Sequence, residues 1–223
     1  EGRHRCGQGE AWKMRIIYRI LLFIVRLTFG TVYPTRQVGR EKIPQGSAVI
    51  CANHSGYADP LLMLLGMDLP SMPCFMAKAE LLRVPVLGAF LKAFNVFGVA
   101  RGKSDRGAMS HADEKLRQGN KVIIYPQGTR VHPGQFVRAK SGAVRLAVEN
   151  NVPVLPVYVP EKKRVFRRNL IVIGEPYYVR CSDGDPAELR RAAAEIMDKI
   201  FALGESTGQK RLSAASEGEV SGE

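Results

Sequence analysis

Two short segments contain the side chains with which this sequence could do acid–base chemistry. In N-H-S-G-Y-A-D-P, residues 53–60, His54 precedes Asp59 by five positions, and Y-P-Q-G-T-R follows at residues 125–130. A histidine can take a proton from a hydroxyl group near neutral pH, and a neighbouring carboxylate can fix its tautomer. A Gly-Thr-Arg turn can hold an anionic group. Together the segments predict an active site, although for His54 and Asp59 alone a helix cap with a first-turn proline is the simpler interpretation.

The rest of the sequence predicts the elements that would position these segments. Apolar runs bounded by Gly, Pro, Asn or charged residues predict six strands, at residues 48–52, 74–77, 96–99, 121–125, 154–159 and 170–173. Helices are predicted at residues 60–65, 105–117 and 141–149, and in a last helix capped by Asp185 and ended by Gly204. The alternation indicates an α/β fold, with a mostly parallel or mixed sheet flanked by helices. His54 follows the first strand, where such a sheet usually binds its ligands.

The composition predicts a single domain with disordered ends. The 223 residues, 45% of them hydrophobic, can bury one sizeable core. Residues 1–13 are polar and glycine-rich, and residues 204–223 consist mainly of polar residues and glycine. We expect both ends to be disordered, with a helix at residues 14–34 and the domain itself at residues 35–203.

The helix predicted at residues 14–34 carries a membrane signal that is interrupted by charge. Arg19 and Arg26 lie within an apolar run, and each arginine would cost about 2.5–3.5 kcal/mol at the centre of a bilayer. Their seven-residue spacing puts both on one helical face, which predicts a helix lying in the membrane interface with its guanidinium groups toward lipid phosphates. An amphipathic core helix is the alternative, whereas a signal peptide lacks its cleavage site here.

The charge balance predicts an anionic partner. There are 33 Lys and Arg against 21 Asp and Glu, a net charge of +12, which favours nucleic acid, a phosphorylated substrate or an acidic membrane surface. Neither the cysteines nor the histidines have the spacing of metal ligands, so we expect no metal and no cofactor. No disulfide framework is indicated either, and a cytosolic setting is expected.

A basic stretch near residue 165 has several interpretations. Val165 and Phe166 lie among five cations, Lys162, Lys163, Arg164, Arg167 and Arg168. Basic and aromatic residues together suit nucleic acid or a membrane surface, and a solvated hairpin turn is equally compatible. No recognisable nucleic-acid motif accompanies the stretch, and the helix at residues 14–34 favours the membrane.

Four blocks in order carry a family resemblance: H-S-G-Y-A-D, V-A-R-G ending at residue 102, Y-P-Q-G-T-R, and V-P-V-L-P-V around residue 154. Over about residues 14–180 the sequence resembles the glycerolipid acyltransferases, most closely the 1-acylglycerol-3-phosphate acyltransferases. The resemblance implies that family's fold. It also implies acyl transfer from acyl-coenzyme A or acyl carrier protein to the sn-2 hydroxyl of a lysophospholipid, giving phosphatidate at the cytoplasmic face of a cell membrane.

The resemblance also implies roles for particular residues. His54 would be the general base and Asp59 would orient it, while Ser55 is a turn residue rather than a nucleophile. Arg101 and Arg130, with Lys78, would hold the acceptor phosphate. The backbone amides near Gly128 and Thr129 would stabilise the oxyanion.

Gln127 departs from the family pattern, which usually has a glutamate at this position. Glutamine keeps the length and an acceptor oxygen but removes the negative charge. If the family's carboxylate only accepts hydrogen bonds, glutamine serves equally well. If it pairs with a cation, the chain acts on another lysolipid or is a weakened, lipid-binding homologue.

Overall fold

The chain folds around one mixed sheet in the computed structural model, which describes residues 6–69, 73–85, 88, 91–92, 95–99, 106–132, 135–181 and 185–208. Within them the strands are β1 (Thr35–Val38), β2 (Ala48–Ala52), β3 (Cys74–Lys78), β4 (Val96–Val99), β5 (Lys121–Ile124), β6 (Val154–Tyr158) and β7 (Asn169–Ile173). Their order in the sheet is β1-β7-β6-β2-β5-β3-β4. The pair β6 and β7 is antiparallel and the other pairs are parallel. This confirms the predicted α/β fold.

The six predicted strands are all present, and none of their ends differs from the prediction by more than one residue. Strand β1 was not predicted. Its sequence, T-R-Q-V, alternates half-buried and exposed residues and contains one aliphatic side chain. It lies at the edge of the sheet beside β7, so pairing with a neighbour defines it rather than an apolar run.

Helices cover both faces of the sheet. The helices with both ends in the described part of the chain are α1 (Cys6–Val32), α2 (Asp59–Met67), α3 (Arg106–Arg117), α4 (Gly142–Glu149) and α5 (Pro186–Ser206), with short 3-10 helices at Arg40–Lys42 and Ala79–Arg83. Ile50 and Ala52 of β2 pack with α1 and α2, whereas Val49 and Cys51 pack with α3, α4 and α5. This alternation along a fully buried strand produces two cores, one on each face.

Helix α1 begins at Cys6, which corrects the expectation of disorder for residues 6–13. Gln, Glu, Ala and Lys within that stretch are good helix formers, and they extend the helix from the apolar run that follows. Residues 1–5 lie outside the described residues.

Helix α1 has both a buried face and an exposed apolar face. Tyr18, Leu22 and Val25 are buried in the core, as the core-helix alternative predicts. The exposed face comprises Ile16, Ile20, Phe23, Ile24 and Leu27, of which Phe23 and Leu27 are each 65% exposed. None of the helices in the described part of the chain combines the length and the apolar composition that a membrane crossing requires.

Arg26 of α1 points toward the protein. Its guanidinium lies 2.7 Å from Oδ1 of Asp68, and Arg40 lies 3.0 Å from the other oxygen of that carboxylate. The expectation that Arg26 turns toward lipid phosphates is therefore corrected: Arg26 joins α1 to the end of α2.

Helix α5 starts as predicted and ends two residues later. Asp185 caps it by accepting a hydrogen bond of 2.8 Å from the amide of Ala187. The helix continues past Gly204 to Ser206. A Cβ at Gly204 would lie 2.6 Å from the ring of Tyr158, so this glycine permits close packing against β6 rather than ending the helix. Residues 209–223, most of the predicted tail, lie outside the described residues.

Candidate active site

Both predicted motifs follow the carboxyl ends of strands at the same end of the sheet, because β2 and β5 are parallel neighbours. Cys51 pairs with Ile124 near the carboxyl ends of the two strands. The loop with His54 follows β2, and the turn at residues 125–130 follows β5. A five-residue spacing then brings the start of α2, with Asp59, back to His54.

Asp59 is held as a carboxylate by a set of donors. Its Oδ2 accepts hydrogen bonds of 2.7 Å from the amides of Ser55 and Gly56, and the Lys163 ammonium contacts Oδ1. Burial raises the pKa of Asp59, but the hydrogen bond from His54 and the charge of Lys163 outweigh it and hold the pKa below its ordinary value. Asp59 is therefore ionised at neutral pH.

His54 pairs with this carboxylate in an orientation that suits a base. Nδ1 of His54 lies 2.8 Å from Oδ2 of Asp59. An ionised carboxylate can only accept, so Nδ1 carries the proton and Nε2 is left as an acceptor. The Asp59 side chain is 0% exposed and that of His54 is 19% exposed. One side of the imidazole is thus fixed by the protein while part of the ring stays open to a substrate.

The structure does not support the helix-cap interpretation of Asp59. The N-cap position of α2 is Ala58, and no side-chain cap is formed there. The Asp59 carboxylate accepts instead from amides that precede the helix, at Ser55 and Gly56. A carboxylate in the first turn also gains from the positive end of the helix dipole.

The turn after β5 holds the backbone of His54 on both sides. Oε1 of Gln127 accepts a hydrogen bond of 2.7 Å from the His54 amide. The Val131 amide donates a hydrogen bond of 2.8 Å to the His54 carbonyl. Gln127 is 6% exposed, so its oxygen is a buried, dedicated acceptor.

Arg130 lies over the loop that contains His54. Its guanidinium carbon is 3.5 Å from the centre of the Tyr57 ring, a cation–π contact that Tyr57 makes while 82% exposed. The structure therefore brings Arg130 and the histidine loop together.

Gly128 closes the turn through its own amide. That amide donates a hydrogen bond of 2.9 Å to the Tyr125 carbonyl, so it is engaged and is not aimed at an oxyanion. Gly128 has a φ of 66°, and a Cβ there would lie 2.7 Å from Cε of Lys140. Both observations explain the need for glycine. Thr129 follows it, half-buried.

Two of the predicted site residues cannot be placed as side chains. Lys78 is the last residue of β3, and its backbone is paired with Val99 of β4. The side chain of Lys78 and the whole of Arg101 lie outside what the structure describes.

Tyr125 and Lys163 belong to the site although the motifs did not identify them as catalytic neighbours. The Tyr125 ring stacks on His54, with 4.2 Å between ring centroids and 21° between planes. Burial, with the nearby negative charge of Asp59, raises the pKa of Tyr125 well above its ordinary value. Lys163 was predicted only as part of a basic loop. No signal along the chain could place it at Asp59, because the contact spans more than a hundred residues.

A change of Gln127 to leucine should destabilise the site. Leucine removes the acceptor of the His54 amide, and an unpaired buried donor costs about 1–3 kcal/mol in the free energy of unfolding. Gln127→Glu keeps an oxygen at this position, so the hydrogen bond is retained. We expect Gln127→Leu to lower both the unfolding free energy in urea and the reaction rate.

The matched pair of variants decides what the family's usual glutamate contributes. If Gln127→Glu stays within about threefold of the unaltered protein in rate, acceptance of the His54 hydrogen bond accounts for the position, since threefold is only about 0.6 kcal/mol. A large gain in Gln127→Glu, or unchanged stability in Gln127→Leu, would contradict this explanation.

Comparison with known proteins agrees with the site. The profile of the Acyltransferase family matches residues 35–160. A 1-acyl-sn-glycerol-3-phosphate acyltransferase of Bacillus subtilis is 31% identical over 160 residues, covering 69% of this chain and 79% of that protein. The enzyme of the same name from Pseudomonas aeruginosa is 30% identical over 151 residues, covering 62% of this chain but only 53% of that protein.

The fold is also that of a solved structure. The 1-acyl-sn-glycerophosphate (LPA) acyltransferase PlsC from Thermotoga maritima aligns with a TM-score of 0.66 and 24% identity, covering 93% of this chain and 86% of that chain. At that identity the likeness establishes the fold alone. The family match over more than half of the chain, together with the Bacillus relative, establishes more: this chain belongs to the acyltransferase family, among the 1-acyl-sn-glycerol-3-phosphate acyltransferases.

Proposed function

We propose that this chain transfers a fatty acyl group from an acyl thioester to the sn-2 hydroxyl of 1-acylglycerol-3-phosphate, giving phosphatidate. The observation that carries the proposal is the His54 and Asp59 pair, with Nδ1 bound to the carboxylate and Nε2 free to accept a proton. Names of the relatives supply the substrate class. Acyl-coenzyme A and acyl carrier protein both present the thioester that this chemistry needs.

Direct transfer accounts for the reaction. The substrate hydroxyl gives its proton to Nε2 of His54 while its oxygen attacks the thioester carbonyl, and Asp59 stabilises the imidazolium that forms. The tetrahedral intermediate collapses with loss of the thiolate, which takes the proton from His54. One C–O bond forms and one C–S bond breaks, so the two substrates, the acyl thioester and the lysolipid, account for every atom.

Ser55 supports the loop and is not acylated in this scheme. Its amide donates to Asp59, and its hydroxyl oxygen accepts a hydrogen bond from Lys163. With an ammonium donor on its oxygen, the hydroxyl is a poor nucleophile, and Nδ1 of His54 faces Asp59 instead.

Cations and amides at the same edge of the sheet serve the phosphate and the oxyanion. Arg130 is held above the loop by Tyr57, and its planar guanidinium matches phosphate oxygens. Lys78 is the last residue of β3, and Arg101 comes two residues after the end of β4 in the sequence. Both are proposed to contact the same phosphate. Because the Gly128 amide is engaged, we assign the oxyanion to the Thr129 amide.

The assay that tests the function measures thiol release. Purified protein in detergent is given acyl-coenzyme A or acyl carrier protein with 1-acylglycerol-3-phosphate, and free thiol and phosphatidate are quantified. We expect release with this acceptor to exceed release with lysophosphatidylcholine, lysophosphatidylethanolamine and lysolipid amino acids. Preference for another lysolipid would move the substrate assignment, and no release with any acceptor and either donor would leave a lipid-binding homologue.

We propose that the exposed face of α1 docks on the cytoplasmic leaflet of a cell membrane. Its stripe of five apolar side chains, Ile16, Ile20, Phe23, Ile24 and Leu27, is open to solvent. Val165 and Phe166 are also exposed, and the Phe166 amide donates a hydrogen bond of 2.7 Å to the carbonyl of Val32 at the end of α1. The apolar stripe is thereby joined to the basic loop, whose cations suit anionic lipid headgroups.

The double change Phe23→Ser and Leu27→Ser should weaken binding to vesicles of anionic phospholipid. Burial of a phenylalanine or leucine side chain contributes about 1.5–3 kcal/mol, so we expect vesicle affinity to fall at least about tenfold. Sedimentation with vesicles measures this. Tyr178→Ser is the control, since Tyr178 is 61% exposed and follows Tyr177, which pairs with Val154 at the start of β6, the end of the sheet opposite to the loop with His54. Equal losses in both variants would exclude docking by α1.

A further inference from the structure

Lys163 reaches the site from the loop between β6 and β7. Its ammonium contacts Oδ1 of Asp59 and donates to the hydroxyl oxygen of Ser55. The Lys163 side chain is 12% exposed, although the neighbouring side chains Lys162 and Arg164 are exposed. One cation of the basic stretch therefore turns inward and contacts Oδ1 of Asp59, whereas His54 binds Oδ2.

The loop is built to hold Lys163 in this position. Asn169, 2% exposed, accepts a hydrogen bond of 2.9 Å from the Arg164 amide and donates to the carbonyls of Arg164 and Arg167 at 2.9 and 3.0 Å. The Phe166 amide is bound to Val32 of α1. The backbone that follows Lys163 is therefore fixed at several points, which lowers the entropy lost in holding this long side chain.

We propose that Lys163 is a positioning residue for the reaction: its cation fixes the Asp59 carboxylate and offsets part of the negative charge that this carboxylate exerts on His54. The inference rests on the proposed function, because it assigns a role within that reaction. Without the Lys163 cation, the carboxylate would keep only neutral amide donors besides His54, and its full negative charge would favour the protonated imidazole. The Lys163 charge opposes this and keeps Nε2 ready to accept the substrate proton.

Other charges near the pair have fixed states. Among the described residues, Tyr125 stacks on His54 and Arg130 lies over the loop that contains it. Glu161 approaches through its backbone carbonyl, which accepts from the Ser55 hydroxyl at 3.5 Å. Tyr125 stays neutral because burial raises its pKa, and arginine stays charged at any pH used in assays. Glu161 precedes Lys163 by two residues and is unchanged in the variants compared below.

The test compares Lys163→Gln with Lys162→Gln. Both remove one positive charge from the same loop, and so weaken attraction to an anionic membrane equally, but only the first removes the charge beside Asp59. In detergent we expect Lys163→Gln to lose about tenfold of the rate near pH 6, a part of the 10²–10⁴ that positioned proton transfer contributes. The acidic limb of its pH profile moves to higher pH, so that the loss shrinks above about pH 8.

Two further variants make the result decisive. Lys163→Arg restores the cation and is expected to return the limb to its original position. Lys163→Met, which lacks any donor, should shift the limb as Lys163→Gln does. A merely structural role would lower the rate by one factor at every pH. The proposal is overturned if the limb of Lys163→Gln or Lys163→Met coincides with that of the unaltered protein, or if Lys162→Gln shifts it equally. Inactivity of the unaltered protein and of Lys162→Gln would instead refute the proposed function, and this inference with it.

Discussion

Replacing His54 with alanine should lower the rate of thiol release by about 10²- to 10⁴-fold, the range that positioned proton transfer contributes. The change removes Nε2 of His54, the ring nitrogen that is left as an acceptor when Nδ1 binds Asp59. The substrate hydroxyl must then lose its proton to water, and the imidazolium that Asp59 stabilises cannot form. Because the change leaves the proposed phosphate-binding residues unaltered, we expect it to appear in kcat rather than in the KM for the lysolipid.

The fold should survive this change. In His54→Ala the Asp59 carboxylate keeps the amides of Ser55 and Gly56 and the Lys163 ammonium. The backbone contacts of residue 54 with Gln127 and Val131 use atoms that alanine also has. The main structural loss is the stacking on Tyr125.

A second histidine provides the control for His54→Ala. His132 is exposed and follows the same turn, so His132→Ala removes an imidazole near the site without touching Asp59. We expect His132→Ala to keep its rate within about twofold. Replacing an exposed side chain changes stability little, and this one does not touch the His54 and Asp59 pair. More than a tenth of the original rate in His54→Ala would remove His54 from the mechanism.

Much of the fold was predictable because local patterns determine it. The apolar run at residues 48–52 and the spacing between His54 and Asp59 are both properties of one short segment. The structure confirms the strand, and it joins the two side chains through a turn of five residues. The order of strands was beyond prediction, since β5 pairs with β2 although β3 and β4 lie between them in the sequence.

The remaining parts of the site depend on contacts between distant segments. Gln127 looked like a possible loss of function, because the sequence cannot reveal that its oxygen binds the amide of His54. Lys163 looked like a surface cation, because nothing in the sequence indicates that one lysine of a basic stretch turns inward. Both facts follow from where β5, β6 and β7 bring their loops, which is a tertiary property.

Replacing Asp59 with asparagine should lower kcat by about 10³- to 10⁴-fold, the effect that loss of the orienting carboxylate has in a comparable histidine base. Asparagine is the same size, so the change isolates charge and hydrogen-bonding capacity. In the native site Oδ2 accepts from His54, Ser55 and Gly56, and Oδ1 contacts Lys163. Every one of these contacts to the two carboxylate oxygens is therefore made by a donor.

Neither orientation of the asparagine amide can satisfy those donors. With its oxygen toward His54, the NH₂ group faces the Lys163 ammonium and leaves that cation without its carboxylate. With the amide reversed, the NH₂ group faces the amides of Ser55 and Gly56 and turns His54 to the wrong tautomer. In the first case the imidazolium loses its negative partner, and in the second Nε2 carries the proton and cannot act as a base.

The same change should alter how stability depends on pH. The pKa of Asp59 in the folded protein lies below its ordinary value, so the carboxylate contributes stability above the unfolded pKa of about 3.9, and this contribution is lost as pH falls through the folded value. Asp59→Asn has no such group. We therefore expect its unfolding free energy in urea to be lower at pH 7 and to decline less between about pH 5 and pH 3.

Asp113→Asn is the control for both measurements. Asp113 makes an ion pair of 3.1 Å with Arg117 on the surface of α3, and such pairs contribute about 0–1 kcal/mol. Its rate and its stability curve should follow those of the unaltered protein. If Asp59→Asn retained the native rate while His54→Ala lost it, His54 would act without an orienting carboxylate. If both variants lost their rate but Asp59→Asn kept the native pH dependence of stability, the carboxylate would not be charged in the folded protein. The donors around Asp59 lead us to expect both effects in Asp59→Asn: a lower rate, and an unfolding free energy that depends less on pH.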